Sequence, residues 1–371
     1  MLDYLVVGSG FFGATCARLL AEAGNRVFVV EQRDYVGGNV ADYRDSETGI
    51  IVSRVGPHYF HTNSRPVWDF VNRFAKFNAM VLRTRTHYKD RTYSFPPLNL
   101  LTLSEVFGHH FTPTSAQVFM AEHCKEFRQT APTNYQQYML AQLGPKMFEM
   151  FVKGYIQKAW DCQPAELPIT LGRRIRIEYS FDDRVFDKNY QGYPIGGYAP
   201  LVSKMLAHRN IKLQLSTAFE RSMVSDARST IYSGMIDQFF DFELGHLPYR
   251  SLRFEHETVP ESDFQGAPVI NHTDAAVPYT RVTEHKHFCG TICQKSCITR
   301  EYSIPYTEGE IPCYPVQNAH TDGLVRQYRG LMRQFPAVHF GGRLGSYKYL
   351  NMDETIAAAM KLSAHLCSDK L

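Results

Sequence analysis

The sequence predicts an α/β protein in which a discontinuous Rossmann-like nucleotide-binding domain is interrupted by an inserted helical domain and an antiparallel β-sheet domain. Three observations carry this reading. The chain opens on a strand, a glycine loop, a helix and a second strand that ends at Glu31. The stretch from about Ser104 to Leu171 is apolar at helical spacing and poor in β-branched residues. The last 35 residues return to strand, glycine turn and helix.

In order, Tyr4–Val7 reads as a buried strand, Gly8–Gly13 as a tight loop, and Ala14–Ala23 as a helix. That helix sets Cys16, Leu19, Leu20 and Ala23 on one face and closes at Gly24. With the strand Arg26–Val30 it makes a βαβ unit, which requires a parallel sheet covered by helices. Tyr138–Leu143 and Lys146–Trp160 are the strongest helical stretches of the insertion. Arg176–Tyr190 and Leu252–Tyr302 alternate aromatic or β-branched with polar residues and predict antiparallel strands. Val338–Arg343 and a helix over Asp353–Leu366 rejoin the first domain. The resulting boundaries are 1–65, 192–245 and 318–371 for the nucleotide-binding domain and 100–172 for the helical domain. The sheet, read as the substrate domain, takes 66–99, 173–191 and 246–317.

With 44% hydrophobic and 21% charged residues over 371 positions, the chain can bury separate cores in two or three domains. A formal net charge of +3 is too slight to recruit a nucleic acid or a membrane surface, so anion binding must be local. Met1-Leu2-Asp3-Tyr4 carries an acid where a secretory leader has a basic region, and no stretch reaches the roughly 18 apolar residues that span a bilayer. A cytoplasmic protein is expected. The 8 cysteines lack the dense spacing of a secreted scaffold and are expected as reduced thiols. His285, His287, Cys289, Cys293 and Cys297 crowd together, but their gaps match neither a zinc finger nor a common iron–sulfur pattern, so no metal is expected.

Gly8-Ser9-Gly10-Phe11-Phe12-Gly13 is a GxGxxG loop between a strand and a helix. In such a loop the first glycine makes the turn, the second lets backbone approach a pyrophosphate, and the third allows close helix–strand contact. The diphosphate then sits at the positive helix N-terminus. Glu31, ending the next strand, is placed to bind a ribose 2′-hydroxyl. The following Gly37-Gly38-Asn39 permits further backbone approach, as in flavoproteins of the glutathione-reductase type, and favours FAD over NAD. A plain surface turn is the alternative.

Four further segments are more specific: Gly56-Pro57-His58-Tyr59-Phe60-His61-Thr62; Lys153-Gly154-Tyr155 with Lys158 and Trp160; Val277 to Lys286; and Gly342-Arg343-Leu344-Gly345 with Tyr347 and Tyr349. With them the chain resembles the bacterial UDP-galactopyranose mutase family over nearly its whole length. The resemblance implies an FAD domain, a helical domain and a twisted antiparallel sheet. It implies interconversion of the pyranose and furanose forms of a nucleotide-linked sugar, with flavin N5 of reduced FAD attacking the anomeric carbon. The protein's part is then positioning and electrostatics, in keeping with the lack of a GxSxG elbow or a Cys–His pair in the sequence.

The same resemblance implies catalytic roles for His58, Arg174 and Arg281, the two arginines on the substrate diphosphate. A guanidinium forks onto phosphate oxygens better than an ammonium does. Tyr314 and Tyr349 match phosphate-directed tyrosines, and Tyr155 and Trp160 match residues near the base, although Trp160 equally suits a core position. Arg250, Asn271 and Glu301 match further substrate-binding positions. Implied cofactor contacts are Gly8, Gly10, Phe12, Gly13, Glu31, Gly38, Asn39, His58, Arg343 and Met352. The helix starting near Met352 would aim its positive end at the flavin; for His58, core packing is the rival reading. A homodimer and a mobile stretch around Arg174 complete the expectation.

Three positions depart from the family pattern. Val185 stands for a tyrosine, Asn351 for an aspartate and Leu82 for a common asparagine. Each removes a polar group, so dTDP-fucose or UDP-N-acetylgalactosamine stand beside UDP-galactose as substrates, with UDP-galactose first. Drift at tolerant positions explains the same changes. An oxidoreductase of amine-oxidase type and a nucleotide-sugar binding protein without activity are the rival functions.

Overall fold

The computed structural model describes residues 2–317 and 319–368. The chain forms two compact units, Met1–Met80 with Lys188–Ser251 and Tyr306–Leu371, and Val81–Asp187 with Leu252–Pro305. By contact, the inserted helices and most of the larger sheet fall together in the second unit.

The first unit is built on a five-stranded sheet in the order Val338–Phe340, Ala227–Tyr232, Leu2–Val7, Val27–Val30, Ile211–Gln214. All four pairings are parallel. Tyr4 to Val7 are buried, as a strand covered on both faces requires. The helix Phe11–Glu22 begins three residues earlier than its apolar stripe indicates, because Ala14 N already bonds to the carbonyl of Gly10 at 2.9 Å. It buries Cys16, Ala17 and Leu20 and packs against the C-terminal helix Met352–Ser368. The discontinuous Rossmann-like domain read from the sequence is therefore present.

The second unit holds the helices Leu100–Phe107, Pro113–His123, Tyr135–Phe148 and Gly154–Trp160 around one apolar cluster that includes Leu103, Met120, Met139 and Met147. Its sheet runs, from Leu252 onward in the strand Tyr249–Val259, through Ser296–Pro305, Arg281–Glu284, Val269–His272, Thr84–Tyr88 and Arg91–Tyr93. Two features correct the sequence reading. The sheet is mixed, because Thr84–Tyr88 lies parallel to Val269–His272. Arg176–Tyr190 is not a strand pair: only Tyr190–Gly192 is a strand, set against Phe60–Thr62 in the first unit.

The alternation in Arg176–Tyr190 reflects charge pairing instead. Arg176 meets Glu178 at 2.5 Å, Arg184 meets Asp182 at 2.8 Å, and Asp183 takes Arg83 and Arg85 at 2.7 and 3.2 Å. Asp182 also accepts from the backbone N of Arg184, a local turn bond that competes with ladder pairing. Among the described residues no helix is long and apolar enough to cross a membrane.

Candidate functional site

In the first unit a cavity of about 590 Å³ opens where Leu2–Val7 and Val27–Val30 end, the place at which α/β sheets hold ligands. Gly8, Gly10, Phe12, Glu31, Gly38, Asn39, His58, Arg343 and Met352 all line it; of the cofactor residues read from the sequence, Gly13 alone does not.

The loop glycines serve different ends. Gly8 has φ +95°, in the left-handed region that favours glycine. At Gly13 a methyl would run into the carbonyl oxygen of Gly8, so that glycine brings helix and strand together. Gly10 has an ordinary φ of −67°, and a methyl there would meet nothing nearer than Gly37 O at 3.9 Å. Neither backbone conformation nor packing within the protein asks for glycine at position 10. No side chain caps the helix that follows, so its first amides are oriented to receive an anionic group.

Glu31 is buried, with Oε2 accepting from Ser9 N and Ser9 Oγ at 2.8 Å and Oε1 accepting from Arg33 N at 3.0 Å. It ties the glycine loop to the end of the next strand while facing the cavity. Asn39 accepts from Arg33 Nη2 and donates to Pro312 O. His58 Nδ1 lies 3.0 Å from Gly56 O, which sets the proton on Nδ1.

Arg343 donates to Cys313 O and Leu350 O, and its guanidinium lies 5.3 and 4.9 Å from the ring centres of Tyr314 and Tyr349. Those two rings stack at 5.2 Å and 6°. The structure thus joins two residues read as phosphate-directed to one read as cofactor-directed. Arg250 is buried in the same unit, its carbonyl accepting from Cys313 N. Asn351 occupies the N-cap of the helix Met352–Ser368, its carbonyl 3.0 Å from Thr355 N.

The second unit carries its own group. Asn271 pairs with Arg281, and Arg281 with Glu301, on adjacent antiparallel strands, so the three form one rung on one sheet face. Arg281 Nε lies 3.1 Å from Glu301 Oε1, and Nη2 donates to Tyr155 Oη at 2.6 Å. The guanidinium plane is held from two sides. Trp160 packs at the edge of the helical core, and Arg174 is exposed beyond the short helix Ile169–Gly172. Leu82 and Val185 prove to be neighbours, Val185 N donating to Leu82 O at 3.0 Å.

The bonding of two groups was not read from the sequence. Lys158 Nζ donates to four carbonyls, those of His272, Asp274, Val277 and Tyr279, at 2.7 to 3.1 Å. Burial, opposed by Asp274, brings this ammonium down to about 8. Its position in the Tyr155 motif was visible, but backbone acceptors leave no residue-type signal. His287 Nε2 sits 3.2 Å from Asp263 and 3.3 Å from Glu284, instead of joining the nearby thiols. Glu284 further accepts from Ser296 Oγ and from Phe264 and Gln265 N, and His285 bonds Thr299, so hydrogen bonds account for this group. None of the eight cysteines is in a disulfide.

Known proteins resemble this chain in sequence and fold. A family model described as UDP-galactopyranose mutase matches residues 150–349, and one described as NAD(P)-binding Rossmann-like domain matches residues 6–74. A probable UDP-galactopyranose mutase of Klebsiella pneumoniae is 35% identical over 99% of this chain and 95% of its own. A dTDP-fucopyranose mutase of Escherichia coli is 36% identical over 97% of both. A crystal structure of reduced UDP-galactopyranose mutase superposes with a TM-score of 0.76 over 99% of this chain and 96% of its own, at 14% identity, which speaks for the fold. The chain belongs to the UDP-galactopyranose mutase family, a family of isomerases acting on nucleotide sugars.

Proposed function

We propose that this mutase works with reduced FAD and converts a nucleoside-diphosphate hexopyranose to its furanose form, UDP-galactopyranose being the first substrate. The observation that carries the cofactor reading is the room before Gly10, where glycine answers no need of the protein, beside the uncapped helix start. Gly8, Gly10, Gly38 and the first helical amides would hold the pyrophosphate, and Phe12, His58, Arg343 and Met352 would flank the rest of the cofactor. Bound and reduced, FAD would supply the nucleophile for the anomeric carbon. Arg281 would bind the departing nucleoside diphosphate, its plane set by Tyr155 and Glu301. His58, with its proton on Nδ1, would present a neutral acceptor edge or, when protonated, a compensating charge.

A second reading, dTDP-fucopyranose as substrate, is favoured by one observation. Two positions at which polar residues are expected, Leu82 and Val185, lie side by side, and Leu82 is buried. The test is chromatography of UDP-galactofuranose and dTDP-fucofuranose incubated with the FAD-loaded protein, with and without dithionite. Conversion under reduction alone supports the mutase and ranks the substrates; conversion of neither removes both readings.

A further inference from the structure

Lys158 lies half-buried on the helix that carries Tyr155, and its ammonium is the centre of a loop that belongs to the sheet. The acceptors His272, Asp274, Val277 and Tyr279 span the whole connection between the strands Val269–His272 and Arg281–Glu284. Three protons shared among four carbonyls at 2.7 to 3.1 Å make the chain wrap this cation from both arms and the turn. The loop also touches the helical segment directly. Thr273 Oγ1 donates to Met150 O at 2.6 Å, and a methyl at Gly154 would run into Thr273 O. Tyr155 and Lys158 share one helix face, three residues apart. One turn therefore holds both the hydroxyl that receives Arg281 and the ammonium that anchors the loop ending one residue before Arg281.

We propose that Lys158 is the positioning residue of the substrate-binding cation: the loop closes around its ammonium, and this closure sets Arg281 against Tyr155 in the orientation that meets a nucleoside diphosphate. The proposal rests on Arg281 being a diphosphate ligand. The geometry makes the charge, and not the stem, the essential part. Removing the ammonium takes the shared donor from four carbonyls of half-buried residues, and the loop loses the bonds that draw its two arms together.

The test compares Lys158→Met, which keeps the stem, with Lys158→Ala given ethylammonium ion to replace the missing head. UDP and dTDP affinities are read by titration, steady-state constants with the nucleotide sugar, and loop order by amide hydrogen exchange. Expected for Lys158→Met are at least tenfold weaker nucleotide affinity, a KM raised by a similar factor with kcat within about threefold, full flavin content, and faster exchange confined to 272–280. Ethylammonium should restore affinity to Lys158→Ala and leave the wild type unchanged. Unchanged loop exchange in folded Lys158→Met overturns the proposal, and so does loosened exchange with unchanged affinity. Should Lys158→Met fail to fold, Lys158→Arg must fold and bind; failure of that variant too assigns Lys158 to stability alone and overturns the positioning role. Wild-type protein that binds neither UDP nor dTDP would instead defeat the diphosphate reading, and with it the proposal, whatever the exchange data show.

Discussion

The two glycines at positions 10 and 13 give the most direct test of the cofactor reading, because one methyl group added at each should have opposite consequences. In Gly13→Ala the methyl runs into the carbonyl oxygen of Gly8, a backbone atom that cannot rotate aside, with the Val6 side chain close behind. Overpacking of this kind costs about 1–3 kcal/mol. At about 2–4 °C per kcal/mol for a unit of this size, the apoprotein should melt roughly 2–12 °C lower. In Gly10→Ala the methyl meets nothing nearer than 3.9 Å. Ala is a poorer N-cap than Gly, but it also restricts the unfolded chain, and the two effects offset to within about 0.5 kcal/mol. The same methyl intrudes on the space assigned to the pyrophosphate. An overlap of about 1–3 kcal/mol there weakens FAD binding by about 5- to 150-fold. The assay strips both variants of flavin, records apoprotein melting, and titrates FAD back by fluorescence quenching. Wild-type FAD affinity in Gly10→Ala, or a melting loss there as large as in Gly13→Ala, would refute the reasoning.

Other outcomes follow from the same geometry. Arg281→Ala should keep its flavin and lose about 10- to 100-fold in nucleotide-sugar affinity, the worth of one or two charge-assisted hydrogen bonds; loss of flavin from that variant would contradict the assignment. Val185→Tyr should shift preference toward UDP-galactopyranose over dTDP-fucopyranose by about tenfold in kcat/KM if the valine marks a less polar substrate, and an unchanged ratio would mark it as neutral. The His287 group predicts a pH dependence of stability. The bond to Glu284, acting against burial, raises His287 above its ordinary value, so its contribution is present below pH 6.5 and is lost as pH rises through the raised value. Burial would raise Glu284, but the bonds from His287, Ser296 and the amides of Phe264 and Gln265 outweigh it and hold the carboxyl at about 2. Its contribution is therefore lost only as pH falls below about 4.5 toward 2. Melting of wild type should fall as pH rises above 6.5, and His287→Gln should flatten that slope; equal slopes would remove His287 as its source.

What could be read from the sequence, and what could not, divides along a physical line. Gly8 and Gly13 were legible because a turn and a close helix–strand contact each leave a residue-type mark at fixed spacing, and the same spacing singles out Gly10, where the structure leaves room. The rung of Asn271, Arg281 and Glu301 was legible only as separate motifs, since its assembly depends on the register of three strands. Arg176–Tyr190 misled because alternating charges in short-range pairs imitate the period of a strand. The parallel pairing of Thr84–Tyr88 with Val269–His272 joins segments too distant in sequence for any local pattern to mark.

Lys158 marks the sharper limit. Its partners are carbonyl oxygens, which every residue possesses, so neither partner identity nor spacing could reveal them. A phosphate-binding arginine is specified by its own chemistry, whereas the group that holds it in place can work through backbone alone. It follows that a substitution in the 272–279 loop that keeps the backbone path, at any position but Thr273 with its bond to Met150 O, should leave Arg281 in place, while Lys158→Met should not, although Lys158 belongs to a different element. Asp274→Ala, Ala275→Ser or Val277→Ala weakening nucleotide binding as much as Lys158→Met would show instead that the loop's side chains, and not its carbonyls, orient the arginine.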